Sequence, residues 1–196
     1  MFNPVLVRMM KFVEPIKSEK KLLEIYEYLR NTSERDALMF RIGINTMLRI
    51  SDIIKLKTSN FFDNGDIREY LRMHTKKRKK RLKIPLNDVL KAELIEYRTI
   101  LQLEDEDYLI FSMRNPDNHI DRHQAWRILK KACSKFGVKR FGTHGLRKTA
   151  AWRVYKETKD IALIQQMLSH SSPKATIAYL GINQETLDEA FKKYSF

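Results

Sequence analysis

A single cysteine in 196 residues rules out an internal disulfide, and five scattered histidines give it no partners at zinc-ligand spacing. Neither a disulfide framework nor a structural metal is expected. No run of 18 or more apolar residues occurs, so no segment reads as a membrane-spanning helix. The first 30 residues are charged throughout and lack the apolar stretch and small-residue cleavage site of a secretory signal, which points to the cytoplasm. Glycine and proline are sparse, at six and five, and neither gathers into a linker; no repeat or low-complexity tract is present. One domain with its own core is the expectation at this length.

Acidic residues are also short relative to basic ones. The 24 Asp and Glu face 38 Lys and Arg, leaving a net charge of +14. Such an excess seeks a polyanion, and for a cytoplasmic chain nucleic acid comes before a membrane surface. With 43% hydrophobic and 32% charged residues, the composition is that of a globular protein rather than a disordered tail.

The periodicity is mostly helical. "SEKKLLEIYEYLRN" puts Leu22, Leu23, Tyr26 and Leu29 on one face with Ser18 as N-cap, and "SERD" at 33 to 36 reads as a capping box before the apolar "ALMFRIGINTML", which should run as a helix to about Met47. A short helix should follow from Ser51. Between 61 and 86 the period changes to two: "RLKIPL" alternates Leu82, Ile84 and Leu86 with Arg81, Lys83 and Pro85, and "DIREYLRMH" can pair with it as a hairpin. From Asn87 onward six further helical segments are predicted. In the fifth, "SSPKATIAYL", Ser172 caps and Pro173 takes the first helical position. The fold class is therefore mainly α with a small antiparallel β-sheet.

Four local constellations carry candidate chemistry. Residues 72 to 83, "RMHTKKRKKRLK", hold eight Lys or Arg in twelve and form the hairpin tip. As a solvated run they mean little; in a DNA groove they would neutralise phosphates, and a lysine there could hand a proton to a leaving oxygen. "THGLRKT" opens a helix with Thr143 as the expected N-cap, so that His144 and Arg147 face an anion from its positive end. "LRISD" offers Arg49, with Asp52 close enough to hold it either as a plain ion pair or as part of a site. "LSHSSPKATIAYL" sets Tyr179 nine residues beyond His170, where a tyrosine is as well suited to fill a core as to react.

In order and spacing, these elements resemble the tyrosine recombinase (phage integrase) family, from about Ser18 to the end of the chain. The resemblance implies the fold of a DNA breaking and rejoining enzyme and a site-specific recombinase or integrase. Tyr179 would be the nucleophile that becomes linked to a 3′ phosphate; Arg49 and Arg147 would hold the phosphate oxygens; His144 would assist proton transfer; His170 would support the phosphate beside the tyrosine. Asp52 would buttress Arg49. Lys76 and Lys77 both match the family's hairpin lysine, and counting back from Pro85 favours Lys77. Lys76, Lys77, Arg78, Lys79, Lys80, Arg81 and Lys148 would contact DNA.

The resemblance further implies no metal, no ATP and no other cofactor. The expected partner is double-stranded DNA, bound as a homotetramer on two sites, with a monomer in the absence of DNA and no membrane. Residues 1–17 are expected as an N-terminal arm and 18–196 as the catalytic domain, within which 183–196 form a helix that packs in cis or on a neighbouring subunit. Many family members carry a separate N-terminal domain that completes a clamp on DNA; here only the short arm precedes the catalytic region, so affinity must come from the basic hairpin and helices or from an accessory DNA-binding protein. The pattern is closest to the family's small, catalytic-domain-only branch. Two positions depart from it: Met47 stands where glycine is common before "LRIS", and Ser169 where glycine is common before His170. Two other functions compete with recombination, namely topoisomerase-like nicking and relaxation, and a non-enzymatic DNA-binding regulator on the same fold.

Overall fold

The computed structural model describes residues 13–74, 81–182 and 192. Helix α1 (Glu19–Arg30) begins where Ser18 accepts a hydrogen bond from the Lys21 amide, and buries Leu22, Ile25, Tyr26 and Leu29. Ile25, three residues on from Leu22, takes the place on this face expected for Leu23, which is 60% exposed. Helix α2 (Glu34–Thr46) starts at the Ser33 cap, whose side chain accepts from the Asp36 amide. The expected capping box is only half formed. The Asp36 carboxylate instead accepts both Nε and Nη2 of buried Arg35, at 2.9 and 2.8 Å, because two charges taken out of water must be paired.

After the short α3 (Ile50–Ile53) come three two-stranded antiparallel sheets. Strands β1 (Phe62–Asp63) and β2 (Asp66–Ile67) form the first. Strands β3 (Tyr70–His74) and β4 (Arg81–Pro85) form the basic hairpin, in register from Tyr70↔Pro85 to His74↔Arg81. Its two faces follow the alternation of the sequence: Leu71 is buried and Ile84 half-buried, while Arg72 and Lys83 are exposed. Strands β5 (Phe111–Ser112) and β6 (Asn115–His119) make a third hairpin, in a stretch between two predicted helices to which the sequence assigned no element. The tip residues Lys76, Lys77, Arg78, Lys79 and Lys80 lie outside the described residues, as do the side chain of Arg81, nearly all of the expected C-terminal helix at 183–196, and most of the expected N-terminal arm at 1–17.

Helices α4 (Asp88–Leu101), α5 (Arg122–Lys135), α6 (Gly145–Thr158), α7 (Ile161–Leu168) and α8 (Pro173–Leu180) complete the described chain. Asn87, Asp121, Asp160 and Ser172 cap four of them through side-chain oxygens that accept backbone amides, each satisfying donors a helix start leaves open. The large core gathers α1 to α5 and the hairpins; a smaller one joins Met47 to Ala150, Ala151, Ile164, Leu168 and Leu180. Gly43 on α2 lets α6 approach: a Cβ there would collide with Leu146, so no larger residue fits that crossing. The seam between the two cores, under α6, is where the reactive side chains meet.

Candidate active site

Helix α6 supplies the centre of the site. His144 occupies its N-cap, not Thr143, and makes no capping hydrogen bond through its side chain, leaving the imidazole for other work. Arg147, one turn further, is 8% exposed and donates from Nη2 to the Leu168 carbonyl at 2.7 Å and from Nη1 to the Met47 carbonyl. Both acceptors sit at helix C-termini, where backbone carbonyls lack intrahelical partners and the dipole favours a cation. One guanidinium thus ties the ends of α2 and α7 together beneath the site.

The two departures from the family pattern explain themselves here. Met47 has φ +54° and Ser169 φ +53°, so both keep the left-handed turn that glycine would take for free. Met47 is packed in the smaller core at 5% exposure, which offsets the strain, whereas Ser169 is exposed. Glycine there relieves about 1 kcal/mol of backbone strain, so Ser169→Gly is expected to raise stability by that amount less whatever the serine side chain contributes, read as a rise in Tm by calorimetry. No stabilisation, or a loss, would mean that Ser169 does more for the turn than occupy it.

Tyr179, on α8, points into this seam. Its ring stands edge-on to His170, with centroids 5.1 Å apart, and to His144 at 6.5 Å. Its hydroxyl is buried beside the Arg147 guanidinium and makes no hydrogen bond of full geometry among the described residues. Burial pushes its pKa up to about 12, although the charges of Arg147 and Arg49 pull it back down. The His144 pKa is lowered, chiefly by burial of the ring and then by Arg147 and Arg49, so the imidazole is neutral near pH 7.

Arg49 caps α3 from an exposed position between buried Leu48 and Ile50, and pairs with no acidic group among the described residues. The expected Arg49–Asp52 ion pair does not form. Asp52 lies in the first turn of α3 and its negative charge acts instead on Arg147. Lys148, expected on DNA, is turned inward. It is 5% exposed, donates to the Val13 carbonyl at 2.8 Å, and sits 5.8 Å from the Tyr179 ring centroid. Next to it, Thr149 accepts the Ile16 amide at 2.9 Å, so α6 is fastened to the incoming chain. Lys148 lies between Arg147 and Thr149 in a run from Gly145 to Ala151 that is buried throughout, and nothing local in the sequence announces it.

The described structure therefore brings together Arg147, His144, His170 and Tyr179, with Arg49 at the rim. The arrangement of helices and hairpins around them is that of a tyrosine recombinase catalytic domain. The fold agrees with solved members: a crystal structure of XerA recombinase matches with a TM-score of 0.72 at 24% identity, over 94% of this chain and 65% of that one. A lambda integrase tetramer bound to a Holliday junction matches with a TM-score of 0.61 at 20% identity, over 85% of this chain and 48% of that one. The chain belongs to the phage integrase family, whose model matches residues 17–186, and so to the site-specific recombinases. It is 40% identical over 185 residues to the probable integrase/recombinase YoeC of Bacillus subtilis (strain 168), covering 94% of this chain and 98% of that protein. Against the two solved recombinases, by contrast, it spans about half to two thirds of their length.

Proposed function

We propose that the chain cuts and rejoins DNA at specific sites by attack of the Tyr179 hydroxyl on a phosphodiester. A bond forms between the tyrosine oxygen and phosphorus, and the bond from phosphorus to the 5′ oxygen breaks. The product is a 3′-phosphotyrosine and a free 5′ hydroxyl. Attack by another 5′ hydroxyl runs the same step backwards, so neither ATP nor any other energy source is required. The observation that carries this reading is the buried Tyr179 hydroxyl directed at Arg147 and flanked by two histidines.

Each group has a task matched to its chemistry. Arg49 is exposed, and its planar guanidinium suits a non-bridging phosphate oxygen; Arg147, with two donors committed to the fold, holds the other. The two positive charges stabilise the pentavalent transition state, a role that divalent ions fill in many nucleases. Neutral His144 takes the tyrosine proton as the bond forms. His170 supports the phosphate from the far side of the tyrosine ring. A lysine of the basic hairpin, Lys77 or Lys76, protonates the departing 5′ oxygen. A homotetramer on two DNA sites would supply the paired cuts that exchange needs.

The low pKa of His144 fixes a pH dependence. A proton acceptor must be neutral, so the rate of covalent capture at subsaturating DNA should hold steady from about pH 7 to 9 and fall only below about 6.5. Tyr179 keeps its proton throughout that range. A limb centred at or above pH 7 that His144→Gln leaves in place would show that another group accepts the proton.

The test of the function is covalent capture. Wild-type protein is mixed with DNA flanking its own gene in EDTA, stopped with SDS, and examined for DNA-linked protein. A link formed in EDTA supports metal-independent attack by a side chain. A link formed only with added divalent ion, or only a non-covalent complex, would contradict it and favour in turn a metal-dependent nuclease or a DNA-binding regulator.

A further inference from the structure

The side chain that sets His170 for its task is visible in α8. Thr176 and Leu180 are the two residues this helix buries, and Thr176 is fully buried. An aliphatic residue of the same shape would fill such a place without needing a hydrogen bond, and threonine is a poor helix former. The hydroxyl oxygen lies 3.1 Å from Nδ1 of His170.

Which way that bond runs can be read by comparison within the chain. Threonine hydroxyls on helices commonly donate to the carbonyl four residues back. Thr32, Thr46, Thr99, Thr149 and Thr158 all do so here, at 2.7, 2.7, 2.8, 2.8 and 2.9 Å. For Thr176 the corresponding distance, to the Ser172 carbonyl, is 3.4 Å, and the Thr176 amide is also 3.4 Å from that oxygen. The bond to the usual acceptor is stretched to the edge of hydrogen-bond range, and the histidine nitrogen is nearer.

We propose that Thr176 is a positioning residue that donates its hydroxyl proton to Nδ1 of His170 and thereby holds the imidazole as the tautomer protonated at Nε2. A ring so held presents an N–H, not a lone pair, on its other nitrogen, which is what a phosphate oxygen requires. The same bond fixes the plane of the ring, which stands edge-on to Tyr179. The assignment of a phosphate as the recipient rests on the recombinase function proposed above; the tautomer does not.

Long-range proton–nitrogen correlation spectra of the full chain with ¹⁵N-histidine, recorded near pH 8 where free histidine is neutral, read the tautomer directly. His170→Gln identifies the resonances. Wild type and Thr176→Ser should both show a protonated Nε2 and a bare Nδ1 with no second form, while Thr176→Val should fall back to the mixed tautomers of a free imidazole. The proposal is overturned by a protonated Nδ1 in wild type, or by an unchanged tautomer in Thr176→Val. Should Thr176→Val fail to fold, Thr176→Ala is read in the same way. In covalent capture, Thr176→Val should lose about 10-fold to 10²-fold and Thr176→Ser should recover most of it. A protonated Nε2 in a wild type that never links to DNA would uphold the role of Thr176 and count against the recombinase function alone.

Discussion

Tyr179→Phe should abolish DNA linkage while making the protein more stable. The hydroxyl it removes is buried with no hydrogen bond of full geometry among the described residues, and an unmet polar group in that setting costs about 1–3 kcal/mol. Phenylalanine keeps the ring, its edge contacts with His144 and His170, and the packing against the smaller core. Denaturant unfolding is therefore expected to show a gain of about 1 kcal/mol, with unchanged binding to duplex DNA and no covalent product. The two readouts moving in opposite directions would mark a residue retained for reaction at the expense of the fold. A variant that lost stability would instead place Tyr179 among ordinary core aromatics.

Arg147→Ala and Arg49→Ala should both cost at least about 10²-fold in covalent capture, since each removes a charge aimed at the reacting phosphate. They should separate in stability. Loss of Arg147 leaves the Met47 and Leu168 carbonyls without their charged donor at the junction of α2, α6 and α7, at a cost of about 3 kcal/mol or more. For a chain of this size that is a fall in Tm on the order of 6–12 °C. Arg49 is exposed, with no ion pair among the described residues, so its removal should stay within about 0.5 kcal/mol of wild type. Arg147→Lys is no rescue, because a single ammonium cannot reach both carbonyls and a phosphate with fork geometry. Equal stability of the two alanine variants would remove Arg147 from its place as the tie between the ends of α2 and α7.

What could be read before folding was whatever depends on neighbours along the chain. Ser172 and Pro173 announce the start of α8, and the alternation around Arg81 to Pro85 announces a strand whose register and faces match β3. The resemblance in order and spacing to the tyrosine recombinases marked His144, Arg147, His170 and Tyr179, and the fold brings these four together. What escaped depends on contacts distant in sequence. The β5–β6 hairpin is built from "FSMRNPDNH", whose Asn, Asp and Pro residues disfavour strands until the rest of the domain holds them. Lys148 reads as a DNA contact by its charge, yet the carbonyl of Val13, 135 positions away, gives its ammonium a buried partner. Asp52 reads as the partner of Arg49 by proximity, yet the two form no ion pair and the Asp52 charge acts on Arg147. Met47 and Ser169 read as departures from glycine, but the backbone keeps the left-handed turns and Arg147 reaches both helix ends they close.

The most direct test of the central claim is to find the atom that carries the DNA. Wild-type protein linked in EDTA to DNA from beside its gene would be digested with nuclease and trypsin, and the modified peptide sequenced by mass spectrometry. The chemistry proposed here predicts a nucleotide on the peptide "ATIAYLGINQETLDEAFK", attached at Tyr179 through a 3′ phosphate. A nucleotide on any other residue, or joined through a 5′ phosphate, would contradict it.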